Sequence, residues 1–228
     1  MTDARLGVWV TRTRPGAEAT AARVERAGFT AVVSPLLEVR ALEVREMDEG
    51  DVAFTSRNGV RYFRGSLDRT AWCVGEGTAA EARGLGFRDV RVGPGDVAGL
   101  SKMIRAEMMV SEVERAVVHW AGAHVRGDLV GELRRAGHVA ERVVAYRAEA
   151  VEEIGVGEVD VVMLHSPRAA EVYAARAKGV ARASVAISAA ADAPLAADAG
   201  LVRYVAETPD EGGMLAALVR AAGELTDG

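Results

Sequence analysis

Two pairs of residues in this chain stand where a strand is expected to turn into a helix. Thr55–Ser56 follows the apolar run Val52–Phe54, and Ser166–Pro167 follows Val159–Leu164 about 110 residues later. A strand–turn–helix unit leaves unpaired backbone N–H groups at the positive end of the helix dipole. Because such a terminus attracts anions, the sequence predicts two related anion-binding turns.

Other turns that follow apolar runs have the same composition of hydroxyl groups, glycines and arginines. The candidate binding residues in all of these turns are Arg12, Arg14, Thr55, Ser56, Asn58, Gly75, Thr78, Gly122, Arg126, Ser166, Pro167, Arg168 and Ser188. Taken singly, each serine or threonine could simply cap its own helix. Taken as a set that converges on one cleft, they are donors suited to carboxylates or phosphates, and we favour this interpretation.

The remaining reactive side chains do not form a metal-binding pattern. His119 and His124 lie on either side of a predicted turn, and no Asp or Glu completes a ligand set with them. His165 is adjacent to Ser166, but neighbours on a strand point to opposite faces. Cys73 lies within a predicted strand and is expected to pack as a small core residue. We therefore predict no metal.

A glycine-rich segment, Gly75–Ala80, fits the dinucleotide fingerprint G-x-G-x-x-A. The match is weak because its unit is not the first of its domain. Gly93 also stands where an acidic ribose ligand is expected at the end of the strand Asp89–Val92. A nucleotide-dependent oxidoreductase is the least favoured function, and no cofactor is predicted.

Alternating strands and helices are expected to position these turns. Strands are predicted at Leu6–Val10, Phe29–Ser34, Asp51–Phe54, Ala71–Val74, Asp89–Val92, Ala116–Trp120, Val143–Tyr146, Val159–Leu164, Val185–Ile187 and Val202–Ala206. Helices are predicted at Ala17–Ala27, Asn58–Arg64, Thr78–Gly84, Asp96–Met109, Asp128–Ala136 and Thr208–Ala222. Gly28 and Gly137 are expected to end two of them, and Thr78 and Thr208 to open two others as capping boxes with Glu81 and Glu211.

The two halves of the chain repeat in sequence. Asp51–Ser56 matches Asp160–Ser166, Ala27–Gly28 matches Ala136–Gly137, and Asp96–Gly99 matches Asp210–Gly213. The repeat predicts two similar parallel-sheet α/β domains of the flavodoxin or Rossmann type. Ligands bind at the carboxyl ends of such strands, and two facing sheets would form a cleft between the domains.

Two segments with alternating charged and aliphatic residues depart from the strand–helix order. Leu36–Val44 and Val143–Val151 are either a two-stranded link between the domains or ordinary edge strands. Tyr146 lies in the second segment. In a linker its phenol would be near the hinge and could face the cleft.

Composition limits the class of protein. The 228 residues are enough for two domains of roughly 100 residues each. Half of them are hydrophobic and only 5% are aromatic, so the core must be aliphatic. The net charge of −5 argues against nucleic-acid binding.

The single cysteine excludes an internal disulfide. Without a signal-like start or an apolar run of about 18 residues, we expect a soluble, cytoplasmic protein that has no membrane partner and can act as a monomer.

In this order, the motifs resemble the uroporphyrinogen-III synthase family. The blocks that carry the resemblance are Val8–Arg12, Phe54–Val60, Val74–Ala79, Ala123–Leu133, Ala145–Arg147, Ser166–Arg168 and Ile187–Ser188. They are distributed over nearly the whole chain. The resemblance implies a discontinuous first domain of residues 1–37 and 150–228 and a second domain of residues 46–142. It also implies a linking β-ladder of residues 38–45 and 143–149.

The resemblance also implies an activity. It predicts a lyase that closes the linear tetrapyrrole hydroxymethylbilane to uroporphyrinogen III, with loss of water and inversion of ring D. This reaction belongs to haem, sirohaem and cobalamin biosynthesis and needs no metal or cofactor. The resemblance also suggests a partner, hydroxymethylbilane synthase, which would hand over the substrate transiently. Tyr146 matches the family's hinge tyrosine, a proposed general acid.

Two points qualify this prediction. The turn after Ile187 usually carries a threonine in the family, whereas here only Ser188 keeps a hydroxyl group. The substrate is a polycarboxylate but the chain is net negative, so local hydrogen-bond donors must bind the substrate.

The alternative function is a non-catalytic two-domain module that binds a tetrapyrrole or a small polycarboxylate.

Overall fold

The computed structural model describes residues 5–45, 49–110 and 115–227. The elements are, in chain order, β1 Gly7–Val10, α1 Gly16–Arg26, β2 Thr30–Val33, β3 Leu37–Ala41, β4 Asp51–Phe54, α2 Arg57–Arg61, β5 Ala71–Cys73, α3 Glu76–Leu85, β6 Val90–Val92, α4 Val97–Val110, β7 Val117–Gly122, α5 Leu129–Arg135, β8 Ala140–Ala150, β9 Val159–Leu164, α6 Pro167–Arg176, β10 Ala181–Ala186, α7 Ala189–Asp192, β11 Val202–Val205 and α8 Glu211–Asp227. A 3-10 turn, Ala193–Leu195, follows α7.

The chain divides into two compact units. Unit 1 comprises residues 1–38 and 149–228, and unit 2 comprises residues 39–148. The start of the second domain predicted from sequence, residue 46, lies outside the described residues. The predicted fold class, two similar α/β domains, is confirmed.

Unit 1 is built on a sheet of five parallel strands in the order β11-β10-β9-β1-β2. Helices α1 and α8 pack on one face through residues such as Val24 and Leu218. Helix α6 packs on the other face, where Tyr173 contacts Trp9. Because both faces are covered, the central strands β1 and β9 carry the buried apolar runs Val8–Val10 and Val161–Leu164.

Unit 2 has a six-stranded sheet in the order β3-β8-β7-β4-β5-β6. Strands β4 to β8 are parallel, whereas β3 runs antiparallel to β8, as the bonds from Leu42 N to Ala145 O and from Val151 N to Leu36 O require. Helices α2 and α3 cover one face, and α4 and α5 cover the other.

The internal repeat extends to the topology. Read from one edge, β11-β10-β9-β1-β2 of unit 1 corresponds strand by strand to β6-β5-β4-β7-β8 of unit 2. Equivalent strands are about 110 residues apart in the sequence. In unit 1, β1 and β2 come before β9, β10 and β11 along the chain, whereas their equivalents in unit 2, β7 and β8, come after β4, β5 and β6. The order of connections reverses between β4 and β7 and between β9 and β1, which is where α/β sheets bind ligands.

Both predicted capping boxes are wrong in register. Helix α3 already begins at Glu76 with Gly75 as its N-cap, so Thr78 is buried inside the first turn, and Glu81 pairs with Arg61 at 2.8 Å. Helix α8 begins at Glu211 and is capped by Asp210, which accepts a 2.8 Å bond from Gly213 N. Thr208 therefore lies in the turn before the helix and is not its N-cap.

No helix in the described ranges combines the length and apolar character needed to cross a membrane.

Candidate active site

A pocket of about 630 Å³ opens at the carboxyl edge of the unit 2 sheet, beside the ends of β4 and β7. Its lining combines hydroxyl, charged and small residues. The lining residues are Thr55, Ser56, Val74, Gly95, Asp96, Val97, Ala98, His124, Val125, Arg126, Gly127, Glu132 and Tyr146. The pocket therefore brings together four residues predicted from sequence: Thr55, Ser56, Arg126 and Tyr146.

Ser56 and Tyr146 form the central hydrogen bond of this pocket. Their hydroxyl oxygens are 2.7 Å apart, although the residues are 90 positions apart in sequence. Ser56 is also the N-cap of α2, where its Oγ accepts a 3.0 Å bond from Gly59 N. The serine hydroxyl thus contacts Tyr146 in addition to its capping role.

The ring of Tyr146 is held in a defined orientation. It stacks on Tyr62 with ring centroids 5.4 Å apart and an interplanar angle of 27°. Tyr62 is itself fixed by a 2.9 Å bond from its hydroxyl to Val39 O. Burial raises the pKa of Tyr146 above its ordinary value, while the Ser56 bond acts in the opposite direction. The phenol therefore stays protonated near neutral pH and can act as a proton donor.

Thr55 has an unexpected partner, the buried His119 of β7. Thr55 Oγ1 and His119 Nε2 are 2.9 Å apart, and the histidine is 2% exposed. Burial, followed by the nearby charge of Arg142, lowers the pKa of His119 to about 4. His119 is therefore neutral at pH 7 and fixes the Thr55 side chain at the pocket edge.

We expect His119 to make the stability of the protein depend on pH. Its pKa is 6.5 ordinarily and about 4 in the fold, so its favourable contribution is complete above pH 6.5 and is lost as the pH falls towards 4. The difference corresponds to roughly 3 kcal/mol of unfolding free energy. Urea unfolding at several pH values should show this loss for the wild type and a flatter profile for His119→Gln.

The control for this experiment is His124→Gln, at an exposed position. It should keep the wild-type profile. If His119→Gln also loses stability as steeply as the wild type over the same pH range, His119 is not the group responsible.

The charged lining of the pocket is mixed. Arg126 and His124 lie beside Asp96 and Glu132, and Asp96 also caps α4 through a 2.8 Å bond from Gly99 N. The sequence places Asp96 only at the start of a predicted helix and gives Glu132 no functional role. Acidic side chains on surface helices are common, so the sequence held no signal for their position in this pocket.

Four predicted residues of unit 2 do not line this pocket, and one of them, Thr78, is buried inside the first turn of α3. Gly122 lies against the Tyr146 ring. A Cβ added at residue 122 would be only 2.6 Å from Tyr146 Cε2. Gly75 is the N-cap of α3. Asn58 Oδ1 accepts a 3.5 Å bond from Arg61 on the same helix.

The carboxyl edge of the unit 1 sheet carries the other predicted hydroxyl groups. Ser166 caps α6 by accepting a 3.2 Å bond from Ala169 N, and Pro167 occupies the first turn. Ser188 caps α7 with a 3.4 Å bond from Ala191 N. Arg168 is half-buried on α6.

Two of the three predicted arginines of unit 1 are already paired with carboxylates. Arg12 forms an ion pair with Glu211, and Arg14 forms one with Glu18. Thr20 donates a 3.0 Å bond to Glu211, and His165 Nε2 is 3.5 Å from it. Of these contacts, His165 contributes most to lowering the Glu211 pKa to about 2. An anion that binds Arg12 must therefore compete with Glu211.

Within the described residues, no group of three or more His, Cys, Asp or Glu side chains is arranged to hold a metal ion.

Fold and site together define a protein of two α/β domains with a hydrogen-bonded phenol at the carboxyl edge of one sheet. Residues 18–216 match the family model of uroporphyrinogen-III synthase HemD. The chain belongs to the uroporphyrinogen-III synthase family. No curated protein sequence matches it.

Several solved structures share the fold, among them the two that follow. The uroporphyrinogen-III synthetase of Helicobacter pylori is 15% identical, with a TM-score of 0.65, and the match covers 95% of this chain and 99% of that one. A mutant uroporphyrinogen III synthase of the extremely thermophilic bacterium Thermus thermophilus is 18% identical, with a TM-score of 0.53 and coverages of 96% and 99%.

Proposed function

We propose that this protein is a lyase that converts hydroxymethylbilane into uroporphyrinogen III. The reaction removes the terminal hydroxyl group as water, inverts ring D and closes the macrocycle. Family membership supports the reaction class. The structural observation that carries the proposal is the 2.7 Å hydrogen bond between Tyr146 and Ser56 at the carboxyl-edge pocket.

Tyr146 is proposed as the general acid. Departure of a hydroxyl group is slow unless a proton arrives with it, and the buried phenol keeps its proton at neutral pH. Once that proton is transferred, the Ser56 hydroxyl can rotate and donate to the phenolate oxygen. Ser56 Oγ continues to accept from Gly59 N, so one hydroxyl can perform both tasks.

Substrate carboxylates are proposed to bind the donors of the carboxyl-edge turns. In unit 2 the residues of these turns are Thr55, Ser56, Asn58, Gly75, Thr78, Gly122 and Arg126, and in unit 1 they are Arg12, Arg14, Ser166, Pro167, Arg168 and Ser188. Pro167 has no N–H group, so it contributes by opening helix α6 and not as a donor. An anion at a helix N-terminus gains about 0.3–2 kcal/mol. Several such contacts are therefore needed to hold a flexible polyacid against a net charge of −5.

Orientation is the main contribution of the protein in this proposal. Once the hydroxyl group leaves, ring closure is chemically easy at either carbon of the last ring. Holding the substrate so that the substituted carbon is attacked selects the inverted product. A transient handover from hydroxymethylbilane synthase stays a prediction.

The test uses hydroxymethylbilane generated enzymatically in the same vessel. After oxidation, the type I and type III porphyrin isomers are separated by chromatography. We expect the type III isomer to dominate with the protein and the type I isomer without it. Tight binding of the substrate with only type I product would instead support the non-catalytic binding module.

Ser56→Ala tests whether the serine supports the phenol as well as capping α2. Loss of the cap should cost about 0.5–2 kcal/mol of stability. Loss of one hydrogen bond to Tyr146 should slow formation of the type III isomer by about tenfold. The matched control is Asp128→Ala, which removes the 2.9 Å cap bond to Gly131 N in the same unit. Equal rate losses in both variants would contradict a specific role for Ser56.

A further inference from the structure

A β-bulge in β8, opposite the end of β7, sets the position of Tyr146. Ala121 faces Val144 in the β7–β8 ladder, but the next residue, Gly122, faces Tyr146. Ala145 is therefore an extra residue on β8, and its carbonyl accepts from Leu42 N of the neighbouring chain segment. Since side chains alternate along a strand, an extra residue changes the direction of every side chain that follows it.

Glycine is the only residue type that fits opposite the phenol at residue 122. A Cβ there would lie 2.6 Å from Tyr146 Cε2, 2.7 Å from Cζ and 3.1 Å from the hydroxyl oxygen. Contacts under about 3 Å between such atoms are strongly repulsive. The ring could not keep both this position and its bond to Ser56 if residue 122 had a side chain.

Arg142 fixes the strand end against which the phenol packs. Its guanidinium donates to the carbonyl oxygens of Gly122 and Ala123, the latter at 2.7 Å. Ala123 N in turn donates a 2.8 Å bond to Tyr146 O. The Arg142 side chain therefore holds the end of β7, against which the Tyr146 ring packs.

We infer that Gly122 and Arg142 are positioning residues that hold the Tyr146 hydroxyl against Ser56 for catalysis. Neither has to touch the reacting atoms for this role, although Gly122 is also among the proposed substrate contacts. The inference rests on the proposed function for its catalytic consequence. The placement of the phenol itself can be tested without turnover.

The first test is Gly122→Ala, assayed for formation of the type III isomer. A displaced phenol should lower kcat by about 10- to 100-fold. KM should stay within about twofold, because the alanine keeps the backbone N–H group of residue 122 and the other proposed substrate contacts are unchanged. The matched control is Gly84→Ala on α3, where nothing lies within 4 Å of the added methyl group. The control should keep the wild-type kcat, and a wild-type kcat in Gly122→Ala would overturn the inference.

A double-mutant cycle separates positioning from a general loss of structure. In a Tyr146→Phe background the hydroxyl is already absent, so Gly122→Ala should add less than about twofold to the loss. Rate losses that multiply would show that residue 122 acts independently of the phenol, and the inference would be wrong.

A crystal structure of Gly122→Ala tests placement directly, whatever the activity of the wild type. We expect the distance from Tyr146 Oη to Ser56 Oγ to open from 2.7 Å to beyond hydrogen-bonding range. An unchanged distance would overturn the inference. If Gly122→Ala does not fold, Arg142→Gln takes its place, because this substitution adds no volume. The distance from Tyr146 Oη to Ser56 Oγ and the double-mutant cycle with Tyr146→Phe then test the inference. A wild type that forms no type III isomer would refute the proposed function and leave the crystallographic result to decide the placement.

Discussion

Tyr146→Phe is expected to slow formation of uroporphyrinogen III by about 10²- to 10⁴-fold, the usual contribution of a positioned general acid. The substitution removes only the hydroxyl oxygen and keeps the ring that stacks on Tyr62. Initial rates with enzymatically generated hydroxymethylbilane measure the effect. The fraction of type I isomer should rise, because the uncatalysed closure then competes.

The stability of the same variant separates chemistry from folding. Loss of the bond to Ser56 should cost only about 0.5–1.5 kcal/mol of unfolding free energy. Tyr204→Phe is the matched control, since it also removes a tyrosine hydroxyl, one that donates a 2.7 Å bond to Glu224 in unit 1. We expect Tyr204→Phe to retain the wild-type rate. A Tyr146→Phe enzyme as fast as this control would remove Tyr146 from the mechanism.

Trp120→Ala is expected to cause the largest loss of stability, about 3–5 kcal/mol. Trp120 is fully buried in unit 2, where its ring packs edge-on to Phe63 with centroids 5.1 Å apart. Its indole N–H also donates a 3.0 Å bond to Tyr62 O. The substitution therefore leaves a large cavity and an unpaired carbonyl beneath the residue that supports Tyr146.

Urea unfolding followed by circular dichroism measures this loss. Val219→Ala, at a side chain that is 54% exposed in α8, should change the unfolding free energy by less than about 0.5 kcal/mol. A loss below about 1 kcal/mol for Trp120→Ala would mean that the surrounding aromatic cluster can close the cavity, contrary to the prediction.

Much of the fold was predictable because its determinants are local. Strands β4 and β9 end in the buried apolar runs Val52–Phe54 and Val161–Leu164, as expected for parallel strands covered on both faces. Ser56 and Ser166 cap the helices that follow these strands, since a hydroxyl directly before a helix finds an unpaired amide within three residues. Gly28 and Gly137 have positive φ angles after their helices, as predicted.

The same local rules failed where two registers were chemically acceptable. Thr78 and Thr208 both stand three residues before a glutamate, which satisfies the capping-box pattern. The structure instead uses Gly75 and Asp210 as the residues before the helices. The choice depends on how the chain packs around each helix start, as shown by Thr78, which is buried inside the first turn of α3.

The sequence by itself determined the α/β class, the repeat and Tyr146 as the candidate phenol, because periodicity, caps and motifs involve residues close together in the chain. Only the tertiary structure decided the partners of the functional groups. The bulge at Ala145, the contact of Tyr146 with Ser56 and the pairing of Arg12 with Glu211 all join distant segments. Such contacts depend on the register of strands and the packing of helices, which no local pattern specifies.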